Sequence, residues 1–199
     1  PNDGSSVYYR VTYTNPRWQQ KYSQFKEDAD RLFMKAQLDY DFSDKIKFTY
    51  LYSNDYLVET NRDYQNKGGA DSPLGYMNTF EDKDRVTTHR AYANFNNISL
   101  SENWGFSATA GFESKSIVAS DTGLTSQDQV VFDFINHNNF RETTPIDNFR
   151  MQNTLGIYSQ VELDFQNYLF LTVAARNDWA STVAEENRSI LYPSASLSY

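Results

Sequence analysis

The strand-like stretches of this chain alternate apolar and polar residues with a period of two, and their connections alternate strictly between short and long. Residues 32–42, LFMKAQLDYDF, set Leu32, Met34, Ala36, Leu38, Tyr40 and Phe42 on one face. The other face takes Arg31, Lys35, Gln37, Asp39 and Asp41, with only Phe33 out of pattern. A repeat of two is the signature of an extended strand. FSDK at 42–45 then supplies Ser and Asp, which bond their own backbone in turns. The return run places Ile46, Phe48, Tyr50 and Tyr52 against Lys45, Lys47, Thr49 and Ser53. The pattern recurs at about 84–98 and from Trp104 to about Val118, where Trp104, Phe106, Ala108, Ala110 and Phe112 align. In 155–165 it aligns Leu155, Ile157, Val161, Leu163 and Phe165, and the chain turns at Gln166 and Asn167. YLFLTVAA at 168–175 is apolar on both faces, so its sides stay open. With VYYRVTY at 7–13 and a last run from about Ile190, about eight strands are expected.

Short turns fall near 43, 101 and 166, and long polar segments at 14–29, 54–83, 119–150 and 177–189. A soluble sandwich has no reason to keep every long loop at one end. A transmembrane barrel does, with short periplasmic turns and long outer loops. The expected fold class is therefore all-β, an antiparallel up-and-down transmembrane β-barrel. A mean hydropathy of -0.70 is no obstacle, because barrel strands show only alternate residues to lipid. No window approaches 18 apolar residues, and PNDGSSVYYR lacks the basic start and apolar core of a leader. Aromatics support the barrel. Tyr40, Phe42, Phe48, Trp104, Phe106, Phe165, Tyr168 and Phe170 cluster beside the short turns. Tyr8, Tyr9, Tyr13, Tyr50, Tyr52 and Tyr56 lie towards the long segments, as two interfacial girdles require.

Chemistry-bearing patterns are few. The net charge of -8 argues against nucleic acid as a partner. Cysteine is absent, which removes disulfides and thiolate metal sites. There is no GxSxG, phosphate loop or HExxH. His89 reads as a strand side chain and His137 as a loop residue, 48 positions apart, without an evident partner, and no metal site is expected. Asp39 and Asp41 share a face with Arg31, Lys35 and Gln37, which reads as a solvated wall rather than an acid–base pair. KEDADR at 26–31 and EDKDR at 81–85 read as charged loop ends, lacking the spaced ligands of a calcium loop. FINHNNF at 134–140 is a polar loop with apolar anchors, suited to a ligand, a partner or its own packing. No cofactor and no enzymatic activity are expected.

The closing stretch NYLFLTVAARNDWASTVAEENRSILYPSASLSY, 167–199, resembles a signature of SusC/RagA-like TonB-dependent outer-membrane transporters of Bacteroidetes. In that family a strand ending in Arg runs into NDWSSTLP, then N(K/R)SFFYPS, and returns as SLSf. The matching positions include Arg176, Asn177, Asp178, Trp179, Ser181, Asn187, Arg188, Ser189, Tyr192 and Pro193. TNPRWQQ at 14–20 is similar to the family's NPyW loop. Departures are Ala180, Val183, Ala184, Ile190 and Leu191, all at a loop rim.

The resemblance implies that residues 1–199 are a portion of a barrel of roughly 22 strands, without the plug or TonB-recognition segment. It implies an outer-membrane importer of oligosaccharides or peptides, bounded by outer-membrane lipid, capped by a SusD-like surface lipoprotein and driven by TonB through the plug. Arg176 would mark the exit from the bilayer, Trp179 would anchor the loop, and Pro193 would sit where the last strand starts. Trp18, Tyr64, Tyr76, Phe140 and Trp179 are the loop aromatics that would touch substrate or lipoprotein. Two rivals are a soluble all-β carbohydrate-binding module and a small self-closed barrel, whose enzymatic form needs a Ser/His pair.

Overall fold

The computed structural model describes residues 13–199. Residues 1–12, which hold most of the strand expected at 7–13 together with Tyr8 and Tyr9, lie outside the described part. The described residues form seven strands: β1 (Ser23–Ser43), β2 (Ile46–Gln65), β3 (Tyr76–Ser99), β4 (Trp104–Gln129), β5 (Phe140–Phe165), β6 (Leu169–Ala180) and β7 (Ser189–Ser198). They make one sheet in the order β1-β2-β3-β4-β5-β6-β7, so every neighbour in sequence is a neighbour in space. β5 with β6 and β6 with β7 pair antiparallel. This is the up-and-down arrangement that the alternating connections predict.

The short turns stand where expected, at 44–45, 100–103 and 166–168. Gln166 and Asn167 both take positive φ, 51° and 58°, as the two central positions of a type I′ turn must. Tyr168 N donates back to Phe165 O at 3.2 Å.

The long connections are shorter than expected. They occupy 66–75, 130–139 and 181–188, and the strands take the remainder. β2 has 20 residues and β4 and β5 have 26 each, about twice the 9–11 that cross a bilayer. Only β6, with 12, and β7, with 10, have bilayer length. The reason is physical. Beyond the lipid neither face of a strand must be apolar, so alternation fades while the backbone ladder continues. SQFKEDAD, 23–30, thus reads as loop and folds as strand. KEDADR and EDKDR are corrected likewise: they lie within β1 and β3, where Lys26 pairs Asp28 and Lys83 pairs Glu81 two residues apart on one face.

The segment expected as a loop at 14–29 opens instead with a helix, α1 (Pro16–Tyr22), that runs directly into β1. Asn15 caps it: its Oδ1 accepts from Arg17 N at 3.0 Å and its O from Gln19 N at 2.9 Å. Pro16 fills the first helical position, where no N–H is needed.

Two compact units divide the chain. A wall unit comprises Leu32–Tyr56, Arg85–Val118 and Met151–Tyr199. Among the described residues, a loop unit comprises 13–31, Leu57–Asp84 and Ala119–Arg150.

In the wall unit, register assigns the faces, because directly opposed residues share a side. Leu155 faces Trp179, Ile157 Asn177, Val161 Val173, Leu163 Leu171 and Phe165 Leu169. Leu191, Ala195 and Leu197 of β7 continue that face. The opposite face pairs Tyr158 with Arg176, Gln160 with Ala174, Glu162 with Thr172 and Asp164 with Phe170. YLFLTVAA is thereby resolved, and Phe170, expected in the girdle, joins the polar face. On β1 and β2, Asp39 also belongs to a polar cluster, accepting from Thr49 Oγ1 at 2.7 Å and Gln37 Nε2 at 2.9 Å, with Lys47 Nζ at 3.7 Å. The apolar face stays exposed: Ile157 is 51% exposed, Val173 49% and Leu197 67%. Near the short turns the Trp104 ring packs at a 50° tilt against Phe165 (4.9 Å), which meets Tyr168 edge-on (5.7 Å).

Two expectations about the closing stretch change. Trp179 lies inside β6, opposite Leu155 and Ser189, not in a loop. Pro193 lies inside β7, opposite Ala175, not at its start.

Candidate functional site

The polar face of the wall unit carries one linked charge cluster. Arg90 Nε donates to Glu113 Oε2 at 2.7 Å, and Arg90 Nη2 bonds the same oxygen. Arg176 Nη2 reaches Glu113 Oε1 at 3.4 Å while its Nε donates to Asp178 Oδ1 at 2.7 Å. Glu113 thus bridges two guanidiniums with a side chain only 17% exposed. Tyr158 lies beside it, its ring 5.9 Å from the Arg176 guanidinium. Glycine makes the room. A Cβ on Gly156 would meet Asp178 Oδ1 at 2.4 Å and Arg176 Nη2 at 2.6 Å. A cleft of about 460 Å³ opens beside the cluster, bordered by Arg90, Tyr158, Gln160, Arg176, Tyr192 and Ser194.

The remaining signature residues clasp the β6–β7 connection. Asn177 Nδ2 donates to Ser189 Oγ at 2.9 Å, and that hydroxyl donates to Asn177 Oδ1 at 3.2 Å. Ser181 N donates to Asn153 O at 2.9 Å, and Ser181 Oγ accepts from Asn153 N at 2.8 Å. Asn187 closes a 3-10 turn (Glu185–Asn187) by donating to Ala184 O at 2.9 Å, and Arg188 O accepts from Ala180 N at 3.3 Å. The structure therefore brings Arg176, Asp178 and Tyr192 to the polar face. It uses Asn177, Ser181, Asn187, Arg188 and Ser189 to hold the turn.

The loop unit is organised around buried amides. Asn66, 1% exposed, donates from Nδ2 to Tyr22 O at 3.1 Å. Its Oδ1 accepts from Gln129 Nε2 at 2.9 Å and Asp133 N at 2.8 Å. Gln129 Oε1 accepts from Lys67 N at 2.8 Å. Asn139 folds FINHNNF onto itself, donating to Val131 O at 2.7 Å and Phe134 O at 2.6 Å and accepting from Val131 N at 2.9 Å. Of the uses open to that loop, its own packing consumes Asn139 and Phe140.

The five loop aromatics divide. Trp18 and Phe140 are buried at 7% exposure, Trp18 against Tyr22 at 5.4 Å and Tyr22 against Phe132 at 4.9 Å. Tyr64 is half-buried under Arg62, 5.5 Å from its ring. Tyr76 Oη donates to Asp63 Oδ1 at 3.2 Å, and burial followed by that carboxylate raises its pKa. Tyr76, Asp63, Gln65, Gln19, Gln24 and Phe25 border a cleft of about 450 Å³ rich in amides.

His137 has partners that sequence spacing concealed. Its Nε2 meets Thr79 Oγ1 at 2.9 Å and its Nδ1 meets Ser126 Oγ at 2.7 Å, with Thr143 Oγ1 2.7 Å further on. This is a Ser/His pair, but Ser126 is fully buried, so its hydroxyl clamps the loop and reaches no substrate. Burial, then the Arg62 charge, holds the imidazole pKa below its ordinary value. The unfolded loop consequently binds the proton first, and the clamp's stability is complete above about pH 6.5 and lost as pH falls below it. Amide exchange across 130–139 is expected to quicken as pH drops below about 6.5, after correction for intrinsic rates, and His137→Gln to abolish that dependence. Equal acceleration in the variant would show the clamp does not titrate.

Comparison with known proteins comes down to fold and family. The model of the family described as TonB dependent receptor-like, beta-barrel, matches residues 1–199. No curated protein matches the sequence. Among solved structures, the RagAB peptide transporter superposes with a TM-score of 0.81 at 14% identity, covering 96% of this chain and 22% of that one. The RagAB peptide importer in its closed-closed state gives 0.81 at 15% identity, and in its open-open state 0.77 at 17%, with the same coverage. The chain thus spans 22% of the length of those proteins.

Proposed function

Because the chain belongs to the TonB-dependent receptor-like β-barrel family, we propose that it forms part of the barrel wall of an outer-membrane nutrient importer of the SusC/RagA kind. The observation that carries this reading is the sorting of β5, β6 and β7 into an exposed apolar face and a polar face with Arg176, Asp178 and Glu162. A water-soluble sheet would cover such an apolar face; a bilayer solvates it. The apolar face then meets outer-membrane lipid, and the polar face lines the lumen.

In this reading residues 1–199 belong to the barrel domain, while the plug that TonB acts on comes from another portion of the importer. The loop unit stands outside the cell, where a SusD-like lipoprotein would cover it. Oligosaccharides or peptides would pass the amide-rich cleft at Tyr76 and the Arg176 cluster without any covalent step. Tyr64 and Tyr76 remain the candidate aromatic contacts for substrate or lipoprotein, Trp179 shares the lipid-side face with Leu155, and Trp18 and Phe140 would act by supporting the loops.

Orientation gives the test. The chain has no cysteine, so single cysteines report cleanly once any elsewhere in the full protein are replaced. Glu186→Cys, in the 181–188 connection, is expected to react with a membrane-impermeant maleimide on intact cells. Glu102→Cys, in the 100–103 turn, should react only after the outer membrane is opened. Reaction of Glu102→Cys on intact cells would refute the orientation. Loss of oligosaccharide or peptide uptake on deleting the gene, restored by the intact gene, identifies the substrate class.

A further inference from the structure

The apolar face of the wall unit is not of even height. A trough of about 400 Å³ lies across β1, β2, β3 and β4. Ala91, Ala93 and Ala110 line it, their side chains ending at Cβ, and Tyr40, Tyr50 and Phe112 border it. These borders stand proud of the sheet, Tyr40 being 65% exposed and Phe112 44%. Elsewhere on this face the opposed pairs are large, Leu163 with Leu171 and Val161 with Val173, so the alanines leave a channel.

Along β3 the same face reads Ala93, Ala91, His89, stepping towards the long-loop end by about 7 Å per pair of residues. His89 lies about one bilayer-crossing length from the 100–103 turn, which sets it at headgroup depth. There Tyr50 Oη and His89 Nδ1 are 2.8 Å apart, and the Tyr52 ring is 5.1 Å from the imidazole. When the Tyr50 hydroxyl donates to Nδ1, the ring proton resides on Nε2, a donor at the membrane edge. Four residues further along the face Arg85 lies over the Tyr56 ring at 4.8 Å, a permanent cation on the side where headgroups begin.

We propose that this trough is a saturable lipid site, in which one acyl chain lies along Ala91, Ala93 and Ala110 and the lipid's phosphorylated headgroup meets His89 and Arg85. The site rests on the reading that the apolar face meets the bilayer, with which the trough is continuous. It goes beyond that reading in distinguishing one retained lipid from the exchanging annulus. Bulk lipid needs only an apolar surface; a recessed floor with donors at one end favours a particular molecule in a particular pose.

The test uses the intact importer, purified in mild detergent, stripped of lipid and titrated with phosphatidylglycerol under native mass spectrometry. One phosphatidylglycerol per barrel is expected to bind before any second, and an uncharged diacylglycerol at the same concentration should not. Ala93→Leu, which fills the floor, and Phe112→Ala, which removes a border, are each expected to abolish the first adduct. His89→Ala should reduce phosphatidylglycerol binding towards the diacylglycerol level. A heat-modifiable band on gels confirms that each variant is folded. Unchanged binding in folded Ala93→Leu and Phe112→Ala would overturn the proposal, as would statistical adducts in the wild type. So would conversion of a dimer to a monomer by Ala93→Leu without change in lipid, since a second copy would then occupy the trough. A protein that stays soluble and monomeric without detergent would instead overturn the membrane reading itself.

Discussion

Val173→Arg is expected to destabilise the barrel by about 2–4 kcal/mol, the cost of a cation on the lipid face near the bilayer midplane. Val173 is 49% exposed and lies opposite Val161 and Ala195, near the middle of β6. Its neighbour provides the control. Thr172 occupies the polar face between Glu162 and Ser196, so Thr172→Arg gains an opposed carboxylate and should change stability by less than about 1 kcal/mol. The guanidinium midpoint of the folded protein and its level in the outer membrane both read the difference. Equal loss at both positions would mean that residues 172 and 173 do not look into different solvents, and the wall reading would fail. Two adjacent residues thereby separate a membrane wall from a soluble sheet.

Asn66→Ala is expected to cost about 2–6 kcal/mol locally, because it removes the acceptor of two donors at about 1–3 kcal/mol each. Those donors are Gln129 Nε2 and Asp133 N, at 2.9 and 2.8 Å from Asn66 Oδ1. The Nδ2 bond to Tyr22 O is lost as well. Asn66 is almost completely buried, so water cannot replace these bonds without opening the loops. The loss should show as faster amide exchange and proteolysis at 14–22, 66–75 and 130–139, with the β5–β7 segment of the wall unit unaffected. Asn66→Asp keeps the acceptor and should recover part of the protection. Unaltered proteolysis of Asn66→Ala would show that these loops are ordered by something other than the amide hub.

How far the fold could be read from the chain varied with what each segment touches. Beside lipid, one face must be apolar, and the pattern 32–42 or 155–165 follows from that constraint alone. Past the lipid the constraint disappears. The outer halves of β1 to β5 carry polar residues on both sides, and for that reason 23–30 and 119–129 resembled loop. The helix at Pro16–Tyr22 did have a local signal, Asn15 before Pro16, but it was submerged in a polar segment. Trp18 and Phe140 read as loop aromatics, and the fold buries both. Tyr76 differs from them in being half-buried, with its hydroxyl donating to Asp63.

The sequence by itself determined the strand period, the three short turns, the alternation of connection lengths and the family-like closing stretch. These are local properties: a side-chain period of two and a turn's backbone need no distant residue to define them. Tertiary structure alone decided the sides of YLFLTVAA, the Arg90–Glu113–Arg176 bridge, the Ser126–His137–Thr79 clamp and the alanine trough. Each of these joins residues from different elements, and which residues meet across a sheet depends on register. A slip of one position would exchange the lipid and lumen faces of a strand. Register is set by the turns and the packing together, which is why it became legible only in the folded chain.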